Sequence, residues 1–136
     1  MHILVTGGTG LIGRALIPAL LLQKHTVTVV SRSPKNVFAL FGEAANQGQV
    51  QALTLAELKS VEQFSAIINL AGEPIADKRW TTKQKTRITQ SRMDITQKLV
   101  TLLAAAKTKP HVFISGSAIG YYGRQNSNSI TEAFTD

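Results

Sequence analysis

The stretch TGGTGLIG, Thr6 to Gly13, places four of the chain's ten glycines in eight positions, directly after the apolar run HILV. Such a run reads as a short buried strand, His2 to Thr6. The segment behind the glycines, LIGRALIPALLLQK, carries Leu11, Ile12, Leu16, Ile17, Leu20 and Leu21 at helical spacing, which makes one apolar stripe of a helix. Pro18 falls inside that helix, removes one hydrogen bond and is expected to bend it. Strand, glycine turn and helix follow one another without a spacer. The backbone must therefore turn within a few residues and leave room for something to approach it closely, and glycine permits both.

The rest of the chain repeats the alternation. TVTVVS, Thr26 to Ser31, is β-branched and reads as a second strand. SPKNVFALFG reads as a helix with Ser33 as its cap, Pro34 in the first turn and Gly42 as its stop. VQAL, Val50 to Leu53, gives a third strand, and SAIINLAG a fourth that ends in a glycine turn. Thr81 and Gln84 stand in capping-box spacing at the head of a long helix. In it Ile88, Ile95, Leu99, Leu102 and Ala106 keep the helical period. HVFIS, His111 to Ser115, supplies a fifth strand. Strands alternating with helices predict an α/β fold with a parallel sheet and helices on both faces. Right-handed crossovers then favour a Rossmann-type, doubly wound sheet of strand order 3-2-1-4-5. Ligands of such sheets bind beyond the strand C-termini, at the switch between strands 1 and 4. The glycine loop and the segments SRS, LAG and SGSAIGYYG all fall at strand C-termini.

Composition narrows the partners. With 136 residues, 43% hydrophobic and 17% charged, the chain suits one globular domain. The absence of cysteine excludes disulfide scaffolds and thiolate metal sites and fits a reducing compartment. The run ALIPALLL resembles a signal-peptide core, but four glycines just before it argue against that reading. No segment approaches the ~20 apolar residues of a membrane helix, so a soluble, cytoplasmic protein is expected. Fifteen basic against eight acidic residues, formally +7, suggest an anionic partner. Six of the basic residues lie between Lys78 and Arg92, around Trp80. Nucleic-acid readers add exposed aromatics or a named motif to such a cluster. The sequence reveals neither, so a solvated helix face is the preferred reading.

The glycine loop carries the chemistry. Gly8, Gly10 and Gly13 spell G-x-G-x-x-G between a strand and a helix, within a strand–helix–strand unit of the expected length. N–H groups at a helix start lack intrahelical partners and sit at the positive end of the dipole, so they attract phosphate. Dinucleotide binding is preferred to a turn without a ligand. An NAD site places a carboxylate at the end of strand 2 for the ribose 2′-OH. This chain has VVSRSP there, with hydroxyls from Ser31 and Ser33 and the guanidinium of Arg32, whose planar fork suits a 2′-phosphate. NADP is expected first and NAD second.

Gly7, Gly10 and Gly13 also form G-x-x-G-x-x-G after a threonine. Together with INLAG (68–72) and FISGSAIGYYG (113–123), this resembles the extended short-chain dehydrogenase/reductase superfamily, the nucleotide-sugar epimerases and their relatives. AGEPIADKRWT, SRMDIT and SAIGYYG resemble more closely an epimerase-like family filed among its atypical members. The resemblance implies that Gly7, Thr9, Gly10, Leu11, Ile12 and Gly13 hold the pyrophosphate, with Ser31 and Arg32 on the 2′-phosphate. It places Leu70, Ala71 and Gly72 on the ribose side, Arg92 where many relatives carry an asparagine facing the cofactor, and Ser117 near the nicotinamide as the catalytic serine. Arg92 laid along the surface is the alternative. Glu73 is read as a solvated turn carboxylate rather than an acid near substrate. His2, His25 and His111, at strand starts, receive no role.

The superfamily's other catalytic element is a Tyr-x-x-x-Lys pair, in which the cation lowers the tyrosine pKa. Here Tyr121 and Tyr122 are followed four residues on by Gln125 and Asn126. Residues 1–136 are thus expected to be the NAD(P)-binding part of a longer protein, inactive alone. The complete protein is expected to be an epimerase, dehydratase or reductase acting on a small or nucleotide-sugar substrate, with a homodimer allowed. The alternative is a non-catalytic NADP-binding regulator of a cell-division-linked type.

Overall fold

The computed structural model describes residues 1–75, 78–117 and 131. Its elements are β1 (His2–Thr6), α1 (Leu11–Leu22), β2 (Thr26–Val30), α2 (Pro34–Asn46), β3 (Val50–Leu53), β4 (Ala66–Asn69), α3 (Thr82–Ala105) and β5 (Val112–Ser115). All strand pairs are parallel and the sheet order is β3-β2-β1-β4-β5. This is the Rossmann-like arrangement expected from the alternation.

Successive strand residues point to opposite faces, and two apolar layers result. Ile3, Val5, Val27, Val29, Val50 and Ala66 pack with Ile17 of α1 and Val37 of α2 on one face. Leu4, Val30 and Ile67 pack with Leu99 of α3 on the other, together with Leu58, Val61 and Phe64. The last three belong to the β3–β4 connection, which covers the sheet without a helix of its own. Strands buried on both faces explain why their sequences read as continuous apolar runs.

Several local expectations need correction. Leu11 is 91% and Ile12 63% exposed, so the α1 stripe enters the core only from Ile17 onward, with Leu20 and Leu21 packed partly against it. Gly42 does not stop α2. The helix kinks at Phe41 (φ −123°, ψ 30°) and continues to Asn46, and Gly48, at φ +71°, follows its end. Ser33 occupies the N-cap position of α2 without a side-chain cap bond, whereas Thr81 caps α3 as expected, its hydroxyl accepting from the Gln84 N–H at 3.2 Å. Among the described residues, no helix is long and apolar enough to cross a membrane.

Candidate functional site

At the C-terminal end of β1 the chain enters the glycine loop. Gly7 adopts φ +69°, and a Cβ there would come within 2.6 Å of the Leu70 carbonyl oxygen, so the loop lies directly on the β4 exit. A Cβ at Gly13 would lie 2.5 Å from Gly8 Cα, so the first turn of α1 touches the loop backbone to backbone. Gly10 has a different role. Among the described residues, a Cβ on it would meet only the Gly7 carbonyl oxygen, at 3.2 Å, and it lines the cleft described below. It is also the N-cap of α1, with no side-chain cap. Among the described residues no side chain caps the first-turn N–H groups of α1, which thus keep the unsatisfied character of a helix start.

A cleft of about 480 Å³ opens here. One wall is Gly7, Thr9 and Gly10; Val30, Ser31, Arg32 and Leu55 form the side beyond β2 and β3; Leu70, Ala71, Gly72, Glu73 and Pro74 follow β4; and Ser91, Asp94 and Ile95 of α3 close it. Most of the sequence-derived candidates therefore converge on one cavity. Leu11, Ile12 and Gly13 are not in its wall and can contribute only through the head of α1. Arg92 does not line it either. Its guanidinium lies across Gly72, where a Cβ would approach Arg92 Cζ to 2.7 Å, and Nη1 donates to the carbonyls of Ile88 (3.2 Å) and Glu73 (3.4 Å). Ser117, two residues past β5, is exposed and outside the cleft wall. Tyr121 and Tyr122 lie outside the described residues.

Glu73 departs most from expectation. It is not solvated: it is 6% exposed and paired with two cations, Arg32 Nη1 at 3.4 Å and Lys78 Nζ at 3.5 Å. Burial opposes its ionisation, but Lys78 and Arg32 together outweigh burial and hold its carboxyl below the usual carboxylate range. Its backbone is held as well, the Glu73 N–H donating to Ser91 Oγ at 2.9 Å. Arg32 therefore spans from the β2 exit to the β4 exit, although its own side chain remains 83% exposed.

Beneath the cleft lies a buried polar network that the sequence reading missed. Thr6 Oγ1 donates to Asn69 Oδ1 at 2.6 Å and accepts from the Ala71 N–H at 3.1 Å. Asn69 Nδ2 donates to Thr96 Oγ1 at 3.1 Å and Ser115 Oγ at 3.2 Å. One asparagine thus ties the C-terminal ends of β1, β4 and β5 to α3, fixing the floor on which the candidate residues stand. Its signal was a polar residue closing the apolar run AIIN.

A second cavity, about 320 Å³, is lined by Leu40, Phe41, Gly42, Glu43, Ala44, Gln47 and Gln49. It sits at the end of α2 leading into the start of β3, away from the strand C-termini. The histidines are likewise remote. His2 begins β1, with Nε2 2.8 Å from Thr28 Oγ1 and its ring 4.7 Å from that of Phe64.

The family model described as "NAD dependent epimerase/dehydratase family" matches residues 3–136 of this chain. The "Epimerase family protein SDR39U1 homolog, chloroplastic" of Arabidopsis thaliana is 35% identical over 134 residues, covering 97% of this chain and 38% of that protein. The crystal structure of the human epimerase family protein SDR39U1 (isoform 2) with NADPH superposes with a TM-score of 0.74 at 31% identity, covering 92% of this chain and 39% of that one. UDP-glucose 4-epimerase from Bifidobacterium longum, in complex with NAD+ and UDP, shares the fold with a TM-score of 0.74 at 20% identity, covering 98% of this chain and 42% of that one. The chain thus spans about two fifths of the length of these proteins.

Proposed function

Since the chain belongs to the NAD dependent epimerase/dehydratase family, we propose that its cleft binds NADP(H) in preference to NAD(H). It would do so as the cofactor-binding part of an epimerase, dehydratase or reductase. The observation that carries this reading is the placement of Arg32, after β2, and Gly10, after β1, in one cleft, with no acidic residue in the SRS segment. A pyrophosphate fits the uncapped head of α1, where Gly10 leaves the approach open. The ribose 2′-phosphate fits Arg32 and Ser31. Leu70, Ala71 and Gly72 offer apolar and backbone contacts between these ends. The human relative solved with NADPH supports the cofactor choice, and the UDP-bound epimerase supports a nucleotide-sugar substrate for the complete protein.

NADP(H) supplies the hydride chemistry when bound. The chain's own residues bind and orient it: Thr6 and Asn69 hold the floor, and Arg92 clamps the β4–α3 connection through the Glu73 carbonyl. Ser117 is the residue proposed near the reacting end. The two tyrosines lack a lysine four residues on, which favours a second reading, a regulatory protein that binds NADP without turning it over. Calorimetric titration with NADP+ and NAD+ tests the cofactor assignment, and equal affinities would refute it. Hydride-transfer assays of the longer protein against carbonyl and sugar-nucleotide substrates separate the two readings. For residues 1–136 alone, turnover below ~1 s⁻¹ is expected, the low end of ordinary enzymes.

A further inference from the structure

Glu73 places a fixed negative charge in the wall of a cleft proposed to receive a phosphorylated cofactor. Its carboxylate is buried, and its backbone is tied to α3 by the Ser91 and Arg92 side chains. Arg32 is the exposed member of the pair, solvent-accessible over most of its surface and joined to Glu73 through one nitrogen at 3.4 Å. A 2′-phosphate that takes Arg32 must therefore draw it away from Glu73 or share it with a second anion. Glu73 keeps Lys78 as a partner in either case, at 3.5 Å, so the exchange does not strand a bare carboxylate.

We infer that Glu73 is a specificity-determining residue of this cleft, one that competes with the cofactor's 2′-phosphate for Arg32 and thereby moderates the preference for NADP over NAD. The inference rests on the proposed assignment of Arg32 to the 2′-phosphate. A carboxylate at the end of strand 2 directs other dinucleotide sites toward NAD. Here a carboxylate reaches the strand-2 arginine from the β4 exit instead, 41 residues further along the chain. Neutralising it releases Arg32 to the phosphate. An exposed ion pair contributes little, so the effect is modest and confined to the phosphorylated cofactor.

The test is a double-mutant cycle read as the ratio of NAD+ to NADP+ dissociation constants, with wild type, Glu73→Gln, Arg32→Ala and the double variant. Circular dichroism and thermal unfolding confirm that each is folded, and Glu73→Asp serves as the second acidic-site variant should Glu73→Gln not fold. Glu73→Gln is expected to raise the ratio about 3- to 10-fold, an increase of the size expected for a pair with one exposed partner, and to leave it unchanged when Arg32 is already alanine. Glu73→Asp, whose shorter arm reaches Arg32 less well, is expected to raise it by less. An unchanged or lower ratio in Glu73→Gln, or parallel loss of both cofactors, overturns the inference while leaving the Arg32 assignment standing. A ratio insensitive to Arg32→Ala overturns the assignment itself and the inference with it.

Discussion

The two walls of the cleft are built by different physics. The glycine loop, which gives the cleft Gly7, Thr9 and Gly10, carries no ionisable side chain from Gly7 to Gly13, and its shape is set by backbone lying on backbone: Gly7 against Leu70, Gly13 against Gly8. The opposite wall depends on charged side chains: Arg32 meets Glu73 at 3.4 Å across loops distant in sequence, and Lys78, outside the wall, backs Glu73 at 3.5 Å. A steric wall admits few substitutions at any pH. An electrostatic wall can be tuned by single residues, in steps that are individually small.

The largest effects are expected in the glycine loop. Gly13→Val puts a branched side chain where even a Cβ would lie 2.5 Å from Gly8 Cα. A loss of about 3 kcal/mol or more in unfolding free energy is expected from such backbone overpacking, checked by urea denaturation. Wild-type stability would show that the loop and α1 are not in contact. Gly10→Val separates binding from folding, since Gly10 has φ −78° and its nearest obstacle is one carbonyl oxygen at 3.2 Å. The protein should remain folded while affinity for both cofactors falls roughly 100-fold or more, as the side chain occupies the pyrophosphate approach. Micromolar affinity retained in folded Gly10→Val would place the cofactor elsewhere.

The charged wall should respond more gently and more selectively. Arg32→Ala is expected to weaken NADP+ by about 1.5 kcal/mol, the lower end for a charge-assisted hydrogen bond because Glu73 already engages the guanidinium, and to leave NAD+ nearly unchanged. The smallest effect concerns acid. The Glu73 carboxyl is held below the ordinary carboxylate value of 4.5. Its contribution to stability is therefore complete above the unfolded-state value and lost as pH falls through the lower folded-state value. Thermal unfolding of Glu73→Gln should show a shallower decline than wild type below pH 4.5, whereas Gly10→Val should shift the curve without changing its slope. Parallel acid limbs for wild type and Glu73→Gln would remove Glu73 from the charged wall.

The same contrast explains what could be read in the sequence. Elements made by local rules were visible: β1 and β3 fall on the expected residues, and the Thr81–Gln84 cap forms. The glycine loop was visible because its sterics are written in consecutive residues. Local rules failed where tertiary contacts decide. Gly42 is tolerated inside α2 because the kink at Phe41 absorbs the irregularity, and Leu11 and Ile12 face away from the sheet although they continue the helical stripe. The Arg32–Glu73 pair and the Thr6–Asn69 bond join residues 41 and 63 positions apart. No periodicity or motif encodes such pairings, so a carboxylate read alone in GEPI looks like an ordinary turn residue.

The most direct test of the account is a crystal structure of residues 1–136 with NADP+. The account predicts the pyrophosphate at the head of α1, within hydrogen-bond reach of the first-turn N–H groups beside Gly10. It also predicts the 2′-phosphate on Arg32, with the guanidinium drawn away from Glu73. A cofactor bound beside α2, in the cavity lined by Phe41 and Gln49, or one whose 2′-phosphate makes no contact with Arg32, would contradict it.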